Sequence, residues 1–104
     1  MKPPLPPWPF DQAPNVAAVT STHITVQRLP ILLVTHYEDD DSWGFQSGRP
    51  VTTADAQVVA MKTIVEIDPS VAEIASLAPG YSAVRESVGG EWKITKDEWT
   101  HDEQ

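Results

Sequence analysis

The sequence predicts an α+β domain, a small antiparallel sheet with one or two short helices packed on one face. Three observations predict it. The runs "PILLVTHY" and "SWGFQSG" flank an acidic break. Residues 61–80 repeat apolar side chains at three- and four-residue spacing. The segment "YSAVRESVGGEWKIT" reads as a closing hairpin around Gly89-Gly90.

The elements follow in order. Residues 1–14 form a Pro-rich arm with six prolines, each lacking the donor that helix or ladder requires. An extended lead-in is expected, with Trp8 and Phe10 tucking onto the body; "PPLPPWP" also has the form of a ligand for an aromatic groove. The domain itself is expected over residues 15–96. In "NVAAVTSTHITVQ", Val16 and Val19, then Ile24 and Val26, read as two short strands or a strand and a turn. The nearly continuous apolar run Ile31–Val34 reads as a central strand buried on both faces. Beyond the acids, Trp43, Phe45 and Ser47 share one face by alternation, so Glu38–Asp41 becomes a hairpin loop. Residues 49–57 read as loop and 58–60 as a short strand. A helix is expected to end near Ile67, with Asp68 capping a second one and Pro69 at its first position. "APG" stops that helix. On the closing hairpin, Tyr81, Ala83 and Arg85 alternate with Ser82, Val84 and Glu86, and Trp92 and Ile94 return. Residues 97–104 read as an acidic, frayed tail.

Composition narrows the function classes. One domain fits 104 residues. Without cysteine there is no disulfide, thiol nucleophile or thiolate metal site. The proline-broken N-terminus is not expected to act as a signal peptide, and no run reaches the roughly 18 apolar residues of a membrane span, so a cytoplasmic protein is expected. The net charge of -8 argues against nucleic acid and anionic membranes as partners. It favours either plain solubility or encounter with a basic protein.

The chemistry searched for is mostly missing. Glu38, Asp39, Asp40 and Asp41 are consecutive, whereas an EF-hand loop spaces its ligands and carries a central glycine. His36 and Glu38 share a strand face but lack a third ligand for zinc. Ser47 lacks the G-x-S-x-G elbow, and no phosphate-cradling glycine motif occurs. No metal, cofactor or catalytic residue is therefore expected. The candidate binding residues are Tyr37, Glu38, Asp39, Asp40, Asp41, Trp43 and Arg85. In that set the acids steer, and Tyr37 or Trp43 anchors. Arg85 pairs with Glu66 or Glu73, or sits at the binding surface. Trp43 and Trp92 read as core or as binding platform.

The ordered series "FDQAPNVAAVTS", "PILLVTHYEDDDSWGFQSG", "TIVEIDPSVAEIASLAPGYSAVRE" and "EWKI" resembles a bacterial domain-of-unknown-function family. Part of that family is predicted to serve as immunity proteins in polymorphic toxin systems. The matching features are Trp43, Phe45 and Gly48 after an acidic turn, Glu66 to Pro69, and Gly80 before Arg85. In one place the chain departs from the pattern: its glycine follows Trp43, where the immunity-like members carry Asp-Ser-Gly-Trp. The resemblance implies an immunity-like inhibitor and carries no catalytic residues; the acidic loop and the net charge would make its toxin a basic one. Two other classes remain open from the sequence, an accessory or structural domain and a small enzyme or small-ligand binder.

Overall fold

The computed structural model describes residues 8–97. It is an α+β fold built on a six-stranded, mostly antiparallel open sheet. The strands are β1 (Ala17–Ser21), β2 (Leu33–His36), β3 (Trp43–Gln46), β4 (Ala56–Ala60), β5 (Tyr81–Val84) and β6 (Lys93–Lys96), in the order β4-β1-β3-β2-β5-β6. The helical pieces are α1 (Thr22–Thr25), α2 (Met61–Ile67) and a 3-10 helix, Pro69–Ile74.

The β2–β3 hairpin folds its second strand into the gap beside β1, so β3 runs parallel to β1, with Val19 opposite Gly44. All other pairings are antiparallel. The parallel contact is short, and the Thr20 hydroxyl supplements it by donating to the Phe45 carbonyl at 2.7 Å.

Register decides which side chains meet. Val34 lies opposite Phe45 and Ala83, and His36 opposite Trp43 and Tyr81, so these six share one face. That face is covered by Met61 and Ile64 of α2, by Val71, Ile74 and Leu77 around the 3-10 helix, and by Phe10. Phe10 meets Trp43 edge-on, with ring centroids 5.0 Å apart. The opposite face carries Leu33, Thr35, Gly44 and Ser82, with Val58 and Val84 exposed. Gly44 leaves room there for Tyr37, whose hydroxyl would lie 2.9 Å from a Cβ at that position.

Of the two readings of residues 15–27, two short strands or a strand and a turn, the second is nearer: β1 is followed by the single turn α1, and Ile24–Val26 is not a strand. Ile24 is fully buried while Val26 is 69 % exposed, so the alternation ends after one residue. The N–H groups of Val26 and Gln27 both donate to Thr22 O, and Arg28 reverses the chain at φ 59°. β2 starts at Leu33, two residues later than the apolar run suggested, although Leu32 N already donates to Gln46 O at 2.9 Å. Its helix-side face is buried and Leu33 on the other face is half-covered. β4 starts at Ala56, earlier than expected. The cap at Asp68 forms as expected, its carboxylate accepting from Ser70 N at 3.0 Å, but the turn it starts is 3-10. In the last hairpin, β5 ends at Val84, and Arg85 and Trp92 belong to the connection, not to the strands.

Candidate functional site

The loop joining β2 and β3 is an ordered turn. Tyr37 N donates to Ser42 O at 2.8 Å and closes it. Inside, the Asp40 carboxylate accepts from the Ser42 hydroxyl at 2.7 Å and from Ser42 N at 3.1 Å. These bonds, the hydroxyl first, hold the Asp40 carboxyl below its ordinary value. Glu38, Asp39, Asp40 and Asp41 are all exposed, so the turn presents four consecutive carboxylates to water. The Glu38 side chain lies against Gly80, whose N–H donates to His36 O at 2.7 Å.

Asp41 roots the turn in the body. It adopts φ 64°, a left-handed backbone uncommon away from glycine. Its Oδ1 lies 2.7 Å from His36 Nε2, and its Oδ2 accepts from Gln12 Nε2 at 2.9 Å. Gln12 Oε1 in turn accepts from the Trp43 indole N–H at 2.8 Å. His36 stacks on Trp43 with centroids 4.1 Å apart and planes 16° from parallel. The other ring nitrogen, Nδ1, lies 2.7 Å from the Leu77 carbonyl. Both nitrogens of His36 are thus engaged, and the residue is only 4 % exposed. Beside this cluster runs a cleft of about 510 Å³ between the arm and the chain after the 3-10 helix, with Asp11, Asp41 and Glu73 on its walls.

Tyr37 is half-buried on the opposite face, and burial first, then the charges of Asp97 and Asp40, push its phenol above the ordinary value. It therefore stays a neutral hydroxyl near the turn.

Two candidates leave the binding surface. Trp43 is 1 % exposed and lies beneath Phe10, so it anchors the core and not a partner. Arg85 is 2 % exposed, and its partner is neither Glu66 nor Glu73. Its Nη2 pairs with Asp68 at 2.8 Å, its Nη1 donates to the Ser70 hydroxyl at 2.9 Å, and its Nε donates to Ile31 O at 3.1 Å. The guanidinium stacks on Trp92, 4.1 Å from the ring centroid. Arg85 thus fastens the 3-10 helix to the sheet. Tyr37, Glu38, Asp39, Asp40 and Asp41 remain together at one end of the β2–β3 hairpin.

Sequence reasoning missed Gln12 and the His36–Asp41 contact. One signal was available. A hairpin closed between Tyr37 and Ser42 sets His36 opposite Trp43 and brings the residue before Ser42 back over the imidazole. Nothing local marked Gln12, which acts across 29 and 31 residues of chain.

Among the described residues no group of three or more histidine or acidic side chains is arranged to hold a metal ion. No helix there is long and apolar enough to cross a membrane. No protein-family model, curated protein or solved structure matches the chain at a significant level.

Proposed function

We propose that this chain is a non-catalytic, cytoplasmic protein-binding module whose acidic turn, Glu38–Asp41, docks a basic protein, in the manner of an immunity-like inhibitor of a basic toxin. The observation that carries this reading is the turn itself: four consecutive exposed carboxylates on a loop fixed by its own hydrogen bonds, those of Asp40 with Ser42 and of Tyr37 N with Ser42 O. A preorganised loop loses little conformational entropy when it docks. Its charge adds to a chain total of -8 and accelerates encounter with a cationic surface. Tyr37, with a neutral hydroxyl at the base of the turn, supplies the aromatic contact that Trp43 cannot.

The test uses the purified chain as bait in lysate of its source cells, at low and high salt, beside Glu38→Gln/Asp39→Asn/Asp40→Asn. Asp41 is left intact because it holds the turn. The expected result is a stoichiometric basic protein that is lost at high salt and lost with the variant. A partner held equally by both chains at both salts would overturn the role of the turn, and no partner under any condition would overturn the docking reading.

A further inference from the structure

The hydrogen-bond pattern around His36 imposes a proton count. A backbone carbonyl only accepts, so Nδ1 facing Leu77 O must carry a hydrogen. The ionised Asp41 carboxylate also only accepts, and it lies 2.7 Å from Nε2. The contact is complete only when one further proton lies between ring and carboxylate, as imidazolium against carboxylate. Without that proton, the Nε2 lone pair faces a carboxylate oxygen at contact distance, which is repulsive.

A second observation ties this proton to the shape of the turn. Asp41 sits in the left-handed region, which costs a non-glycine residue on the order of 1 kcal/mol or more. Its side-chain contacts outside the turn are those to His36 and Gln12. The strained residue is thus held from two sides, by Gln12, which donates to its carboxylate and to its backbone carbonyl, and by the contact that needs the proton.

We propose that His36 and Asp41 form a proton-operated latch: the protonated pair clamps the acidic turn to the sheet, and loss of the proton releases Asp41 and loosens the turn. This inference is independent of any partner.

The groups facing the pair set its balance. Asp41 comes from the turn, Asp11 from the arm and Glu73 from the 3-10 helix, all around the same cleft. Tyr81 of β5 lies opposite His36, with Lys96 of β6 beyond it in the same row. Glu38 packs over Gly80. Carboxylates outnumber the one cation in this set.

Nuclear magnetic resonance of the imidazole nitrogens of the whole chain tests the latch, because it separates imidazolium from either neutral tautomer. His36→Gln assigns the signals. The expected result is both His36 nitrogens in the imidazolium state at mildly acidic pH, and their loss on raising pH together with shifts of the Asp41 and Ser42 amides at the same midpoint. Asp41→Gly keeps the left-handed backbone and removes the carboxylate, so the fold persists. In it the turn amides should no longer follow the ring. Two results would overturn the latch: one bare nitrogen on His36 throughout the range, or a ring titration that leaves the turn amides unmoved.

Discussion

Two planar nitrogen groups stack on indoles in this protein, and their surroundings make them behave differently. Arg85 over Trp92 and His36 over Trp43 share a plan: each faces an aspartate and a backbone carbonyl, and each joins a loop to the sheet. The guanidinium is always charged, and its carboxylate partner is only 14 % exposed. An imidazole, unlike a guanidinium, can exist with or without its second proton, and this one's partner is 61 % exposed. The first centre is a permanent fastening. The second is conditional and lies directly beneath the acidic turn. The same chemical plan thus gives either rigidity or responsiveness, according to which cation is used and how much water reaches the aspartate.

The largest effect should come from breaking the permanent centre. Arg85→Met leaves Asp68 partly buried and unpaired and strips Ile31 O of its donor. The expected loss is about 3–5 kcal/mol by chemical denaturation. A loss below about 1 kcal/mol would show that the 3-10 helix does not depend on this pair. Next comes Gly44→Ala. Its methyl meets the Tyr37 ring at 2.9–3.0 Å, so the ring must swing away from the sheet. The cost should be about 1–3 kcal/mol, with a change in tyrosine environment by near-ultraviolet circular dichroism. An unchanged spectrum at parent stability would place Tyr37 elsewhere.

The turn itself should matter least to stability. Glu38→Gln with Asp39→Asn should alter unfolding by no more than about 0.5 kcal/mol, since both side chains are exposed, while slowing association with a cationic protein at low salt. Asp40 and Asp55 give a small acid-side effect. Hydrogen bonds from Ser42 hold the Asp40 carboxyl below its ordinary value, and the Thr52 hydroxyl does the same for Asp55. A depressed carboxyl stabilises the fold above its unfolded value and loses that contribution as pH falls through the folded one. Stability should therefore decline below about pH 4, and Ser42→Ala should flatten the decline. A slope unchanged by Ser42→Ala would remove Asp40 from the acid-side balance.

Much of the frame was legible in the sequence, and the reasons are local. The alternation of Trp43 and Phe45 around Gly44 fixed their shared face, and Asp68-Pro69 announced a cap. α1 was legible only as one of two options, a strand or a turn, because Ile24 and Val26 mimic a strand over three residues and only tertiary burial separates them. The parallel β1–β3 contact was hidden for a similar reason, since no residue pattern reports where a hairpin inserts. At the site, the acids were found because charge runs are visible in one dimension. The burial of Arg85 was not visible, because it depends on Asp68, 17 residues away; for Trp43 the sequence offered core or binding platform, and Phe10, 33 residues away, decides for the core.

The most direct test of the contrast is the stability of the parent chain, Arg85→Met and Asp41→Gly at about pH 5.5 and about pH 8.5. These values bracket the ordinary imidazole range near 6.5. A latch that binds a proton in the folded state adds stability below that range and loses it as pH rises. The Arg85→Met penalty should be equal at the two pH values. Asp41→Gly should cost stability at the lower pH, by an amount reduced by the exposure of Asp41, and cost nothing or stabilise at the higher. An Asp41→Gly penalty that is the same at both would contradict the distinction between a permanent and a proton-linked centre.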